Sequence, residues 1–152
     1  MPRSIPFTGL AELAGTEVAV SGWFDIKQER IGAFAEATED RQWIHIDPER
    51  CARESPFGAP VAHGFLTLSL LPAMLESALV IEGMRMGLNY GLNRVRFPAP
   101  LPSGSRVRGR WMLAALEPIA GGVQLTWDVT IEAEGQGGKP VCAAEFLVRV
   151  YT

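Results

Sequence analysis

Residues 61–81 read VAHGFLTLSLLPAMLESALVI, an apolar run long enough, at roughly 20 residues, to cross a membrane as a helix. It contains His63, Pro72 and Glu76, however, and neither a basic cluster nor an aromatic belt flanks it. We therefore predict a helix over residues 63–82 that the protein itself surrounds, because a helix apolar on nearly every side must be covered on all of them. Pro72 lacks a backbone N–H and is expected to kink this helix.

The second half of the chain has the alternation of apolar and polar residues that is typical of half-buried strands. Strands that follow one another through short turns pair antiparallel. We therefore predict an α+β fold, an antiparallel sheet curled around one central helix, whose unpaired edges favour a partner chain. The predicted strands are residues 16–24, 89–97, 106–111, 123–132 and 142–150, with turns at 118–122 and 135–139.

Length and composition favour one ordinary globular domain over residues 1–152. The chain is 47% apolar and 20% charged, with a formal charge of -3. This charge argues against nucleic acid as a partner. Cys51 and Cys142 are too few for a disulfide framework and are predicted to be buried fillers, on a short helix and a strand. With no signal peptide apparent, we expect a cytoplasmic protein that does not enter a membrane.

Shorter helices are predicted before the apolar run. Residues 27–38 have a helical pattern, and Asp25 with Gln28 has the spacing of a capping box. Asp47 followed by Pro48 predicts the start of another helix. Residues 54–60, ESPFGAP, are predicted to form a loop.

The stretch EDRQWIHIDPER, residues 39–50, places Asp40 and His45 beside a tryptophan and two isoleucines. A spacing of five puts the two side chains on different sides of a helix or a strand, so they can meet only if residues 41–44 are irregular. Partly desolvated, they would form an acid/base pair able to hold one water. The alternatives are an ordinary helix cap and a core histidine. A zinc site from His45, Asp47 and His63 is weaker, because these residues form no dense cluster.

Ala62, His63 and Gly64 stand at the predicted start of the central helix. The first amides of a helix have no partner within it, and glycine lets a ligand approach them closely. A carbonyl oxygen bound there would be polarised. The alternative is that Gly64 only permits tight packing, and we expect His63 to be a helix-start or interface residue rather than a catalytic one.

Three segments, ATEDRQWIHIDPERC, FGAPVAHGFLTLSLLPAML and NYGLNRVRFPAPLPSG, resemble the MaoC-like acyl dehydratases, a hot-dog-fold group that includes (R)-specific enoyl-CoA hydratases. The resemblance is strongest to the nodulation-protein-N-like branch and implies a single MaoC-like hot-dog domain. It implies that Asp40 and His45 are the hydratase dyad and that the Gly64 amide is the oxyanion-hole donor. Residues implied near the substrate are Gln42, Phe57, Ala62 and Tyr90.

The hydratase motif of this family usually reads G-D-x-N-P-[IL]-H. Here Glu39, Gln42 and Trp43 replace the glycine, the asparagine and the proline. The resemblance further implies a homodimer or a dimer of dimers, with the site near the dimer interface. It also implies no metal or other cofactor, since coenzyme A enters only as part of the substrate.

The function implied is reversible addition of water to a trans-2-enoyl-CoA or acyl-carrier thioester, giving the (R)-3-hydroxyacyl thioester. Asp40 would take a proton from the water, and His45 would orient that water and help to deliver a proton to the α-carbon. Two alternatives stay open: a hot-dog acyl-CoA thioesterase and a non-catalytic subunit that binds acyl thioesters.

Overall fold

A computed structural model describes all of residues 1–152. Near its start the chain forms one 3-10 helix, Phe7–Leu13. The α-helices are α1 Gln28–Thr38, α2 Trp43–Ile46, α3 Pro48–Glu54, α4 Gly64–Ser69 and α5 Leu71–Ala78. The strands are β1 Arg3–Pro6, β2 Glu17–Val20, β3 Phe24–Ile26, β4 Leu79–Glu82, β5 Met86–Arg96, β6 Ser105–Ile119, β7 Gly122–Ala133 and β8 Cys142–Tyr151.

The main sheet is antiparallel and has the strand order β2-β6-β7-β8-β5, with β3 also paired to β6. The apolar residues predicted to face inward from β7 are buried, and Trp127 from this strand meets Trp111 of β6 edge-on, with ring centroids 5.9 Å apart. The helices α4 and α5 contribute Leu66, Leu71 and Met74 to the same core. The predicted α+β arrangement of an antiparallel sheet against a central helix is therefore confirmed.

The central helix is shorter than predicted and is divided in two. It begins at Gly64, breaks at Leu70 between α4 and α5, and ends at Ala78. The break lies where Pro72, in the first turn of α5, has no N–H to donate to the preceding turn. Residues 79–82, predicted to be helical, instead form β4, which pairs in parallel with β1. None of the helices is long and apolar enough to span a membrane.

Two features of the shorter helices were predicted with different success. Asp25 is not the cap of α1: it lies in β3 opposite Arg106, and Lys27 occupies the cap position without a side-chain hydrogen bond. The predicted cap of α3 is confirmed, because the Asp47 carboxylate accepts a hydrogen bond of 3.0 Å from the Arg50 amide. Helix-forming patterns locate a helix more reliably than its first residue, since strand pairing competes for the flanking residues.

Two details of the sheet differ from the prediction. Residues 16–24 form two short strands, because the chain leaves the sheet between Val20 and Phe24. The turn predicted at 118–122 is confined to residues 120–121, where Gly121 has a φ of 81°. Cys51 and Cys142 lie buried in α3 and β8, as predicted.

Candidate active site

A tight reversal at the end of α1 begins the site. Glu39, the residue after α1, has the left-handed values φ 61° and ψ 17°. This conformation favours glycine, the residue that the hydratase motif has at this position. Glu36 and Arg41 form an ion pair of 2.8 Å that ties the reversal back to α1, and the hydrogen bond from Arg41 lowers the pKa of Glu36. The chain is thereby turned before α2 begins.

The irregular segment begins two residues earlier than predicted. Residues 39–42 lie outside regular structure, and Trp43 and Ile44, predicted to be irregular, already belong to the helical turn α2. This bend is sufficient: polar side-chain atoms of Asp40, His45 and His63 all lie within 4.8 Å of one another. Asp40 and His45 therefore come together across a bend, which is the condition that their spacing of five residues set for such a meeting. The expected burial of Asp40 is wrong for the single chain, in which this residue is exposed.

The His45 ring is buried and held in one orientation. Its Nδ1 lies 2.7 Å from the carbonyl oxygen of Val61. A carbonyl can only accept, so Nδ1 carries the proton and donates it, which leaves Nε2 with a free lone pair. Val61 is itself held by its amide, which donates to the Ile44 carbonyl at 3.0 Å. The His45 ring is held in place because its acceptor, Val61, is itself hydrogen-bonded through the backbone to Ile44.

His63 is the third member of this cluster. Its ring stacks on the His45 ring with centroids 3.7 Å apart and an interplanar angle of 21°. Its Nε2–H donates to the backbone carbonyl of Asp40 at 2.9 Å. No local pattern connects His63 with Asp40, since 23 positions separate them, and only folding places them together.

The amide of Gly64 stands at the start of α4, directly after His63. It donates to no backbone carbonyl, whereas the neighbouring Ala62 amide is occupied by the Leu101 carbonyl at 2.8 Å. Of these two amides, Gly64 alone is free to meet a ligand. The alternative of tight packing also has a basis, because a Cβ on Gly64 would lie 2.8 Å from the ring of Phe97.

Three other residues were expected near the substrate, and each has its own surroundings: Gln42, Phe57 and Tyr90. The backbone N–H of Gln42 donates to the Asp40 carboxylate at 3.4 Å, and Gln42 is the residue before α2. Phe57 is exposed in the loop after α3. Tyr90 lies on β5, where its ring packs under the guanidinium of Arg149 at 3.5 Å rather than against the histidines.

The candidate metal ligands differ from those considered in the sequence. Asp47 caps α3, and Asp40 takes its place beside the two histidines. An imidazole binds a metal in the plane of its ring, and two nearly parallel rings stacked at 3.7 Å do not direct their lone pairs at one point. One nitrogen of each ring is also committed to a backbone carbonyl.

A helix that begins beside a carboxylate and an imidazole lies against an antiparallel sheet, the arrangement that the resemblance to hot-dog hydratases and dehydratases led us to expect. The family model described as MaoC like domain matches residues 10–132. The chain therefore belongs to the MaoC-like family, as the resemblance implied.

Three known proteins illustrate this relationship. The chain is 50% identical over 141 residues to 3-hydroxyacyl-thioester dehydratase Z of Mycobacterium tuberculosis, covering 92% of each protein. It is 48% identical to Nodulation protein N of Rhizobium leguminosarum bv. viciae, covering 88% of this chain and 83% of that protein. An (R)-hydratase structure from A. caviae superposes with a TM-score of 0.71 at 25% identity, covering 87% of this chain and 93% of that one.

Proposed function

We propose that this chain is an (R)-specific hydratase and dehydratase that interconverts trans-2-enoyl-CoA and (R)-3-hydroxyacyl-CoA. The observation that carries the proposal is the meeting of Asp40 and His45 across one bend, beside the helix start at Gly64. The names of the similar proteins support it, since one is a 3-hydroxyacyl-thioester dehydratase and another an (R)-hydratase.

Asp40 and His45 divide the acid/base work. His45 donates through Nδ1 to the Val61 carbonyl, so its Nε2 lone pair is the atom that orients the attacking water. Asp40 takes the proton that this water loses as its oxygen bonds to the β-carbon. The α-carbon receives this proton in return, and His45 helps to deliver it, because Nε2 can accept and release a proton while Nδ1 stays bonded to Val61. Acid/base assistance of this kind contributes about 10²–10⁴ in rate.

The Gly64 amide binds the thioester carbonyl in this mechanism. Attack at the β-carbon moves negative charge onto that oxygen, and a donor already in place stabilises the enolate without reorganising. The positive end of the helix dipole adds to the effect, although α4 is short.

The reaction needs neither a metal nor a redox cofactor, because the thioester itself acidifies the α-carbon. We propose coenzyme A, or an acyl-carrier arm, as the handle of the substrate. A cytoplasmic location stays a prediction.

Replacing Asp40 by asparagine tests the assignment. Asp40→Asn keeps the shape of the side chain and removes the base, so hydration of a short enoyl-CoA should slow by about 10²–10⁴-fold. Glu39→Gln is the matched control: it removes the adjacent negative charge but leaves Asp40 in place, and it should retain near-parental activity. Equal rates for Asp40→Asn and the parent would refute the role given to Asp40.

The products separate this proposal from the two alternatives. Hydration removes the absorbance of the conjugated enoyl group without releasing a thiol. Release of free coenzyme A would indicate a thioesterase, and tight binding without turnover would indicate a binding subunit.

We also propose a homodimer formed through β5. This strand is an edge of the main sheet, paired only with β8, and residues 86–96 are exposed along almost its whole length. Met86, Leu88 and Leu92 are apolar side chains on this strand that are 40–49% exposed. A second copy added edge to edge would cover them and satisfy the unpaired backbone groups. Light scattering should give twice the chain mass of 16.5 kDa, or four times for a dimer of dimers, and a monomer would contradict this assembly.

A further inference from the structure

We propose that His63 is a positioning residue, which holds both Asp40 and His45 in the arrangement that the hydration reaction needs. This inference rests on the proposed function. It assigns no chemistry to His63 itself. Its basis is that one buried ring contacts both members of the acid/base pair.

The first contact fixes the backbone of Asp40. The Nε2–H of His63 donates to the Asp40 carbonyl at 2.9 Å. Asp40 follows the left-handed Glu39, is exposed, and lies in no helix or strand. The other hydrogen bond to Asp40 runs from the backbone N–H of Gln42 to the Asp40 carboxylate, is long at 3.4 Å, and joins residues of the same short segment. His63 therefore supplies the tie between the carboxylate-bearing segment and the protein core.

The second contact fixes the plane of the His45 ring. His63 covers one face of that ring at a centroid distance of 3.7 Å. His63 is itself held from another side by Phe34, whose ring centroid lies 4.9 Å away at an angle of 59°. Because His45 is also bonded through Nδ1 to Val61, stacking leaves it little freedom to tilt. The direction of its Nε2 lone pair is set by these two contacts together.

Packing alone does not explain a histidine at position 63. The residue is 3% exposed, and its Nδ1 is buried without any hydrogen-bond partner. Leaving a buried polar atom unpaired is costly, and a hydrocarbon side chain of similar size would avoid that cost. The imidazole at position 63 has one unsatisfied nitrogen, and the nitrogen that is satisfied is the one that reaches Asp40.

The position of His63 in the chain also links it to the Gly64 amide, the third group of the site. His63 is the residue before α4, so its backbone leads directly into Gly64. The same residue therefore relates the acid/base pair to the amide that receives the thioester carbonyl. A displacement of about 1 Å between such groups can cost roughly 100-fold in rate.

Three substitutions separate the two contacts. His63→Leu removes both the donor and the flat ring, and we expect kcat to fall by about 100-fold. KM should change by less than about twofold, because the substitution leaves the groups that bind the substrate in the ground state unchanged. His63→Gln restores a donor for the Asp40 carbonyl, and His63→Phe restores the stack on His45, so each should recover part of the loss. Ile131→Val, a buried substitution in β7, is the control for a general loss of stability.

The imidazole signals give a second measurement that does not depend on turnover. The chain has two histidines, so each His63 variant leaves His45 as the single imidazole. Nitrogen-15 shifts of the parent ring should report Nδ1–H for His45 and Nε2–H for His63. In His63→Leu the His45 signals should shift or broaden, while in Ile131→Val they should not move.

The outcomes distinguish this inference from the proposed function. A parent protein that hydrates no enoyl thioester overturns the function, and the His45 signals alone then decide whether His63 positions that ring. If the parent is active, unchanged kcat and unchanged His45 signals in folded His63→Leu would show that His63 is only a structural residue. Should His63→Leu fail to fold, the same two measurements on His63→Gln and His63→Phe decide.

Discussion

The role of the Gly64 amide can be tested by two substitutions, one of which removes its N–H group while the other keeps it. Position 64 is the first residue of α4, where proline is well tolerated, and the preceding His63 has φ -60° and ψ 134°, an extended conformation compatible with a following proline. Gly64→Pro removes the proposed donor. Gly64→Ala keeps it and introduces the same Cβ atom.

The structure gives the size of the shared steric effect. A Cβ at position 64 would lie 2.8 to 2.9 Å from three ring atoms of Phe97, closer than real contacts allow. Phe97 is 40% exposed, so its ring can move, and we expect an overpacking cost of about 1–3 kcal/mol in unfolding free energy for both variants. Phe97→Leu in the same chain should relieve part of that cost.

The catalytic difference between the two variants isolates the amide. Loss of one oxyanion donor costs about 10²–10³ in kcat, so Gly64→Pro should be slower than Gly64→Ala by that factor, with or without Phe97→Leu. The assay is the loss of enoyl-CoA absorbance, and chemical denaturation compares the stabilities. Equal rates for the two variants would refute the assignment and leave tight packing against Phe97 as the reason for glycine.

Three further outcomes are expected. Glu39→Gly should raise the free energy of unfolding by up to about 1 kcal/mol, because a left-handed non-glycine residue costs about 1–2 kcal/mol and the looser unfolded chain offsets part of the gain; denaturation that shows a loss would contradict this. Burial raises the pKa of Glu132, but hydrogen bonds from Arg108 and Arg110 outweigh it and hold that pKa below its usual value. This contribution to stability is present above the usual glutamate pKa and is lost as the pH falls through the lowered folded-state value, and denaturation of Glu132→Gln as a function of pH should lack that part of the loss. Burial raises the pKa of the Cys142 thiol to about 11, so alkylation at neutral pH should proceed only as the protein unfolds, and rapid labelling of native protein would show otherwise.

The sequence predicted the elements whose residues carry a regular period. The alternation in β7 and β8 identified both strands, and the pair Asp47-Pro48 identified the start of α3. The resemblance to MaoC-like proteins added Asp40, His45 and Gly64 as one group of residues. The predictions of β7, β8 and the start of α3 succeeded because side-chain period and capping chemistry act over only a few residues. The roles of Asp40, His45 and Gly64 stay proposals.

Local pattern was misleading where a distant segment competed for the same residues. Residues 79–82 continue the apolar helical pattern, but pairing with β1 makes them a strand. Asp25 has the spacing of a cap, but β6 draws it into the sheet. In both cases, hydrogen bonds to a segment far along the chain decided between two structures that the local sequence allowed.

The sequence by itself determined the class of fold and placed Asp40 and His45 five residues apart, so that a single bend can bring their side chains together. Only the tertiary structure decided how they are held: the proton of His45 on Nδ1 faces Val61, and the ring of His63 lies between two residues that were not predicted to contact it. These contacts join positions 16 to 23 apart, and no periodic pattern extends across such a separation. They form because a buried imidazole N–H needs an acceptor, and the folded chain places one backbone carbonyl, of Val61 or of Asp40, beside one nitrogen of each ring.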